Sequence, residues 1–141
     1  MKLELVTLTG LKFQEDVYEV ILPTATGTIA VFPKHMPLVS LAVPGVISVR
    51  RQRNTPDDEL EHFATNGGVI EIGNDMVRVL VDEADRGDEI VEAESRQALE
   101  RAHKLREQAS DKVSLEHAQA LVDRHAVRLK VAELRRRHYH H

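Results

Sequence analysis

The chain has 141 residues, of which 42% are apolar and 30% charged, and its net charge is −4. That size allows one domain, or one compact domain with an appendage, and the apolar content builds a core rather than a disordered tail, while the acidic balance gives no global drive toward nucleic acid. Zero Cys excludes disulfides, thiol catalysis and cysteine-based zinc sites, and there is no run of eighteen apolar residues to cross a bilayer. The start, Met1-Lys2-Leu3-Glu4-Leu5, carries no secretory pattern, and the lack of Cys fits a reducing compartment.

Composition changes near residue 87. All Gly, Pro and Phe lie before that point, and none follows it. The first part carries eight basic and thirteen acidic residues, the second eleven and ten. A Gly- and Pro-punctuated segment followed by one with neither reads as β followed by α.

In chain order, Leu3, Leu5 and Thr7 alternate with Glu4 and Val6, and Thr9-Gly10 signals a turn. Val17–Leu22 reads as a strand stopped by Pro23, and Gly27–Phe32 as one stopped by Pro33. Val46–Arg50 follows Pro44-Gly45, and Leu60–Ala64 leads into Asn66-Gly67-Gly68. Val69–Ile72 and Met76–Val81 flank Gly73-Asn74-Asp75, a hairpin signal. At least seven short strands predict an antiparallel β-sandwich or flattened barrel over 1–87.

Residues 88–141 show helical spacing. Val91, Ala98, Ala102, Leu105 and Ala109 share one face, Ser110-Asp111 breaks the pattern, and Asp111 or Ser114 can cap a second helix. That helix lines up Leu115, Ala118, Val122, Leu129 and Ala132. The fold class is therefore α+β, an all-β module followed by an antiparallel two-helix hairpin. An alanine contributes roughly 0.8 kcal/mol on burial and a Leu or Val roughly 1.5–3. This seam thus yields on the order of 15 kcal/mol at most, a poor return for ordering about fifty residues. The hairpin is expected to need the β module or a partner, and to open at modest cost.

Catalytic signals are sparse. There is no phosphate loop and no H-E-x-x-H, and no native metal site is expected. The terminal His138, His140 and His141 form a basic, His-rich tail with Arg135–Arg137. His103, His117 and His125 sit among helix charges, His62 alternates with Phe63, and His35 lies in a proline-fixed loop. Ser40, Ser48 and several Asp leave a Ser–His–Asp triad formally open, with nothing to bring its members together. The second helix concentrates Arg124, Arg128, Lys130, Arg135, Arg136 and Arg137, with Arg124 and Arg128 one turn apart. That stripe fits either a solvated face or an acidic partner, and fits nucleic acid far less.

Three segments carry a resemblance. Gly27-Thr28-Ile29-Ala30-Val31-Phe32-Pro33-Lys34-His35-Met36-Pro37-Leu38, Phe63-Ala64-Thr65-Asn66-Gly67-Gly68-Val69-Ile70-Glu71-Ile72 and Val77-Arg78-Val79-Leu80-Val81-Asp82-Glu83-Ala84-Asp85-Arg86-Gly87 resemble motifs of the F-type ATP synthase epsilon subunit, the equivalent of the mitochondrial delta subunit. With the helical hairpin that follows, the resemblance covers essentially the whole chain. It implies a non-catalytic rotor subunit of the central stalk, peripheral on the cytoplasmic face of a bacterial rather than an organellar membrane. It implies that residues 1–87 bind the gamma subunit and the c-ring, and that the hairpin, 88–141, restrains ATP hydrolysis when extended. The loop Thr26, Gly27, Thr28 with Lys34 and His35 would face the ring. Thr28 stands where many relatives carry an acid, so a ring contact there is not charge-based. Arg124, Arg128, Lys130 and Arg135 would meet an acidic segment of the beta subunit, near alpha, when the hairpin extends.

Some relatives bind ATP in the folded hairpin through I/L-D-x-x-R-A. Here the segment reads Ile90-Val91-Glu92-Ala93-Glu94-Ser95, so Ile90 is kept, Val91 replaces the Asp and Glu94 the Arg. Arg101, Arg124 and Arg128 fall on later family positions. Losing a charge-assisted hydrogen bond costs about 1.5–3 kcal/mol, and Glu94 repels a polyphosphate, so weak or no ATP binding by the isolated subunit is expected. The alternatives are an interaction adaptor unrelated to ATP synthase and a small hydrolase or ligand-binding barrel.

Overall fold

The computed structural model describes residues 1–139, with side chains through Arg135. The side chains of Arg136, Arg137 and His138, and residues His140 and His141 altogether, lie outside the described residues.

Ten strands form one sheet that curls into a nearly closed sandwich: β1 (Lys2–Thr7), β2 (Gly10–Asp16), β3 (Glu19–Thr24), β4 (Gly27–Val31), β5 (Leu38–Ala42), β6 (Gly45–Arg50), β7 (Glu61–Thr65), β8 (Gly68–Gly73), β9 (Met76–Val81) and β10 (Ala84–Arg86). Neighbours run β10-β7-β6-β3-β5-β8-β9-β1-β2, with β4 paired to β3. Every pairing is antiparallel except β1 with β9. The alternation seen in the sequence becomes a two-faced sheet. Leu3 and Leu5, Ile70 and Ile72, and Val77, Val79 and Val81 point inward around Phe63. Every buried residue of this main cluster precedes residue 85, so the β module holds its own core.

Asn74 and Asp75 both adopt positive φ, 52° and 56°, the left-handed pair that a two-residue hairpin turn requires. Pro23 does not end its strand. It lies inside β3, opposite Thr28, and its carbonyl still accepts from the Val43 N–H at 3.1 Å. A proline lacks only the donor, so it is tolerated where the ladder does not call for one.

Two helices follow, α1 (Glu92–Gln108) and α2 (Lys112–Tyr139). Asp111 caps α2, accepting from the Ser114 N–H at 2.7 Å and from its hydroxyl at 3.1 Å. Those two bonds hold its carboxyl below the usual carboxylate range.

The seam between the helices is thinner than the sequence suggests. On α1 only Ser95 and Ala102 are buried. Val91, Leu105 and Leu115, expected at the seam, are about half exposed. On α2, Ala118 and Val122 are buried, and Val131 and Ala132 join a second small cluster with Ala64 of β7 and Ile90. Val131 is nine residues beyond Val122, about half a turn around the helix at 3.6 residues per turn. The second helix therefore buries two opposite faces, one on α1 and one on the β module.

Candidate functional site

The functional geometry is concentrated where α2 lies on the β module. The strand β10 and the residues before it present acids at alternate positions, Glu83 and Asp85, while α2 presents Arg124 and Arg128 one turn apart. Arg124 Nε lies 2.9 Å from Glu83 Oε2, close enough for an ion pair but not aligned as a hydrogen bond. Arg128 Nη1 donates to Asp85 Oδ2, and both side chains are less than a third exposed. Further along, Arg135 Nη1 reaches the Gly87 carbonyl at 3.5 Å, and Val131 Cγ1 comes within 3.3 Å of where a Cβ on Gly87 would stand. Glycine at position 87 lets α2 approach this closely.

This junction is mixed in character: a small apolar patch of Val131, Ala132, Ala64 and Ile90, edged by two charge pairs. A second tie runs from β2, where Lys12 Nζ donates to Glu89 at 2.7 and 2.8 Å, across the 3-10 turn Gly87–Glu89. Arg86 covers the rings of Phe13 and Phe63 at 5.8 and 5.5 Å.

Of the basic residues on α2, the structure brings Arg124, Arg128 and Arg135 onto this chain's own β module, while Lys130 is exposed and, among the described residues, makes no ion pair. Their intramolecular partners escaped the sequence reading, although the acidic alternation at Glu83 and Asp85 was visible. Ile90 does not line the cleft between the helices; it is buried in the patch under α2. Arg101, Arg124 and Arg128 do line that cleft, of about 300 Å³, together with Glu94, Ser95 and His125.

The expected ring-facing loop separates into two places. Thr26, Gly27 and Thr28 form the exposed β3–β4 turn, beside the end of β5 where Ala42 pairs with Thr24. Lys34 and His35 lie past the other end of β4, where the Lys34 N–H donates to Asp75 Oδ1 at 3.0 Å and His35 Nδ1 lies 2.6 Å from the Met36 carbonyl. The two groups are joined by β4 rather than by one loop.

One outer face of the sheet is apolar. Val39 and Leu41 of β5 are mostly exposed, and Val69 of β8 pairs with Leu41 on one side and with the part-exposed Leu80 of β9 on the other. Ser48 Oγ and His62 Nδ1 are 2.8 Å apart, but as directly opposed residues of the β6–β7 ladder. Among the described residues no group of His, Asp and Glu is arranged to hold a metal ion, and no helix is long and apolar enough to cross a membrane.

Residues 1–87 match the family model for the ATP synthase delta/epsilon chain β-sandwich domain. Among curated relatives, the ATP synthase epsilon chain of Moorella thermoacetica is 33% identical over 94% of this chain and 96% of its own length. That of Nitratiruptor sp. is 36% identical over 89% and 95%. A chain in the mitochondrial ATP synthase of Euglena gracilis shares the fold with a TM-score of 0.77, at 21% identity, over 93% of this chain and 79% of that one.

Proposed function

Because the chain belongs to the ATP synthase delta/epsilon family, a non-catalytic subunit of that complex, we propose that it serves in the rotor, with the β module as the fixed part and the helical hairpin as the movable part. Membership in this family sets aside both an unrelated adaptor and a small hydrolase.

In this reading the β module, 1–87, couples the c-ring to gamma. The exposed face of Val39, Leu41, Val69 and Leu80 suits a protein partner, since contiguous exposed apolar surface marks interfaces. The β3–β4 turn at Thr26–Thr28 and the Lys34–His35 loop would meet the ring at separate points. In this reading the subunit would sit peripherally on the cytoplasmic face of a bacterial membrane, without inserting into the bilayer.

The observation that carries the regulatory part is the latch. Arg124 and Arg128 are held by Glu83 and Asp85 in the closed form. If α2 left the β module, both arginines would be freed for acids elsewhere. The same side chains thus support two arrangements, which a switch requires. Extended, they would meet the beta subunit's acidic segment, joined by Lys130 and Arg135, with alpha nearby. The deciding experiment is reconstitution with a chain ended after Gly87. Its core cluster is complete, so it assembles, and the complex hydrolyses ATP faster than one with the full chain. An unchanged rate would remove the restraining role and leave the assembly role standing.

Nucleotide binding by the isolated subunit would be weak. The cleft holds Arg101, Arg124 and Arg128 beside the Glu94 carboxylate, and two of those arginines already have acidic partners. Calorimetry should give no dissociation constant below about 10 µM, roughly −7 kcal/mol; a tighter one would count against this reading.

A further inference from the structure

His125 sits on α2 between the two latch arginines, facing the cleft between α1 and α2. Its Nδ1 is buried and has no hydrogen-bond partner among the described residues. The charged groups around it come from all three elements. Arg101 and Glu94 come from α1, Arg124 and Arg128 from α2 itself, and Glu83 with Asp85 from the β module. Three cations and three carboxylates balance, and both acids of the β module are already engaged with arginines. A proton arriving on the imidazole adds a fourth cation beside three arginines, with Glu94 the one carboxylate of the set that makes no ion pair among the described residues.

We propose that His125 makes the closed hairpin acid-labile: protonation of its ring in this cleft drives α2 off the β module. The idea rests on the movable-hairpin reading above and adds to it the signal that moves the hairpin. Burial is the leading cause that holds the His125 pKa below the ordinary histidine value of 6.5, and Arg124, Arg128 and Arg101 reinforce it against a smaller opposing pull from Glu83. The sign follows from linkage. With α2 parted from α1 as well as from the β module, the ring meets water and regains the ordinary histidine value; docked, it holds its proton less well. The open form therefore binds more protons as pH falls through 6.5, and the closed form loses stability there until the lower, docked pKa is also passed. One proton shifts the open-to-closed ratio by at most tenfold per pH unit in that window.

The native chain has no cysteine, so Arg53→Cys on an exposed loop and Lys112→Cys at the exposed start of α2 accept a fluorescent pair cleanly. Energy transfer in the isolated full-length chain should change progressively between pH 7 and 5.5, with each unit shifting the ratio by up to tenfold. His125→Gln and His125→Phe, the second keeping a flat ring without a titrating nitrogen, should hold the pH 8 transfer value across that range. His62, His103 and His117 stay in place as internal controls. An acid response unchanged in both variants, or no acid response in the parent chain, overturns the proposal. Arg128→Glu in the same labelled chain separates the two ideas. If it opens the hairpin at pH 8 while acid does not, the movable hairpin stands and the His125 switch falls. If neither changes the transfer, both fall.

Discussion

Val131→Asp undocks the second helix while the β module stays folded. Val131 is fully buried in the patch formed with Ala132, Ala64 and Ile90. An unpaired carboxylate cannot be taken into such a site without a cost of several kcal/mol. The helix has a cheaper route, which is to leave. The loss is then capped by the docking free energy itself. Two large and two small apolar side chains contribute on the order of 5 kcal/mol before ordering costs. The closed state should lose about 3 kcal/mol, more than a hundredfold in the closed-to-open ratio. Hydrogen exchange checks this: amides of the helices lose protection, while those of β1, β8 and β9 keep theirs. Equal loss in both parts would mean that the helices and the β module form one cooperative unit.

Arg128→Glu should open the same junction by about 2 kcal/mol, the range for a hydrogen bond between charged groups that are mostly shielded from water. The change removes the donor to Asp85 and sets two carboxylates face to face. Adding Asp85→Arg restores the opposite-charge pair with its polarity reversed, and most of the lost protection should return. A double variant as open as the single one would show that Asp85 is not the operative partner. The corresponding change at Arg124 should be milder, because its partner Glu83 and its own side chain are more exposed.

The sheet was largely legible because turn chemistry punctuates it: Gly10, Pro44-Gly45 and Gly67-Gly68 each fall where a strand opens, and Asn74-Asp75 between two strands. The strands missing from the sequence reading have physical reasons. β5, Leu38–Ala42, shows no alternation, since Val39 and Leu41 point out of the sheet as apolar residues. β10 is three residues long, too short for a period. β2 alternates, but its Leu11 is half exposed and only Phe13 is buried. Pro23 looks like a stop in the sequence, but its place in β3 calls on its carbonyl and not on a donor.

The helices were visible, and so was part of their seam at Ala102, Ala118 and Val122, but the face of α2 that meets the β module was not. A single apolar stripe is the signature of a helix with one buried side. α2 has two, with Ala118 and Val122 toward α1 and Val131 toward the β module, so its hydrophobic residues spread around the axis. The same spread hid the latch. Arg124 and Arg128 read as an outward basic stripe because nothing local shows that Glu83 and Asp85, some forty residues earlier, fold back beneath them.

The most direct test is a reversible lock. Gly87 and Val131 approach closely enough that Gly87→Cys with Val131→Cys should close a disulfide across the junction. In a complex reconstituted with this chain, oxidation pins the hairpin to the β module and reduction frees it within the same sample. ATP hydrolysis should be fast when oxidised and should fall on reduction. Equal rates in the two states would contradict a hairpin that restrains the enzyme by leaving the β module.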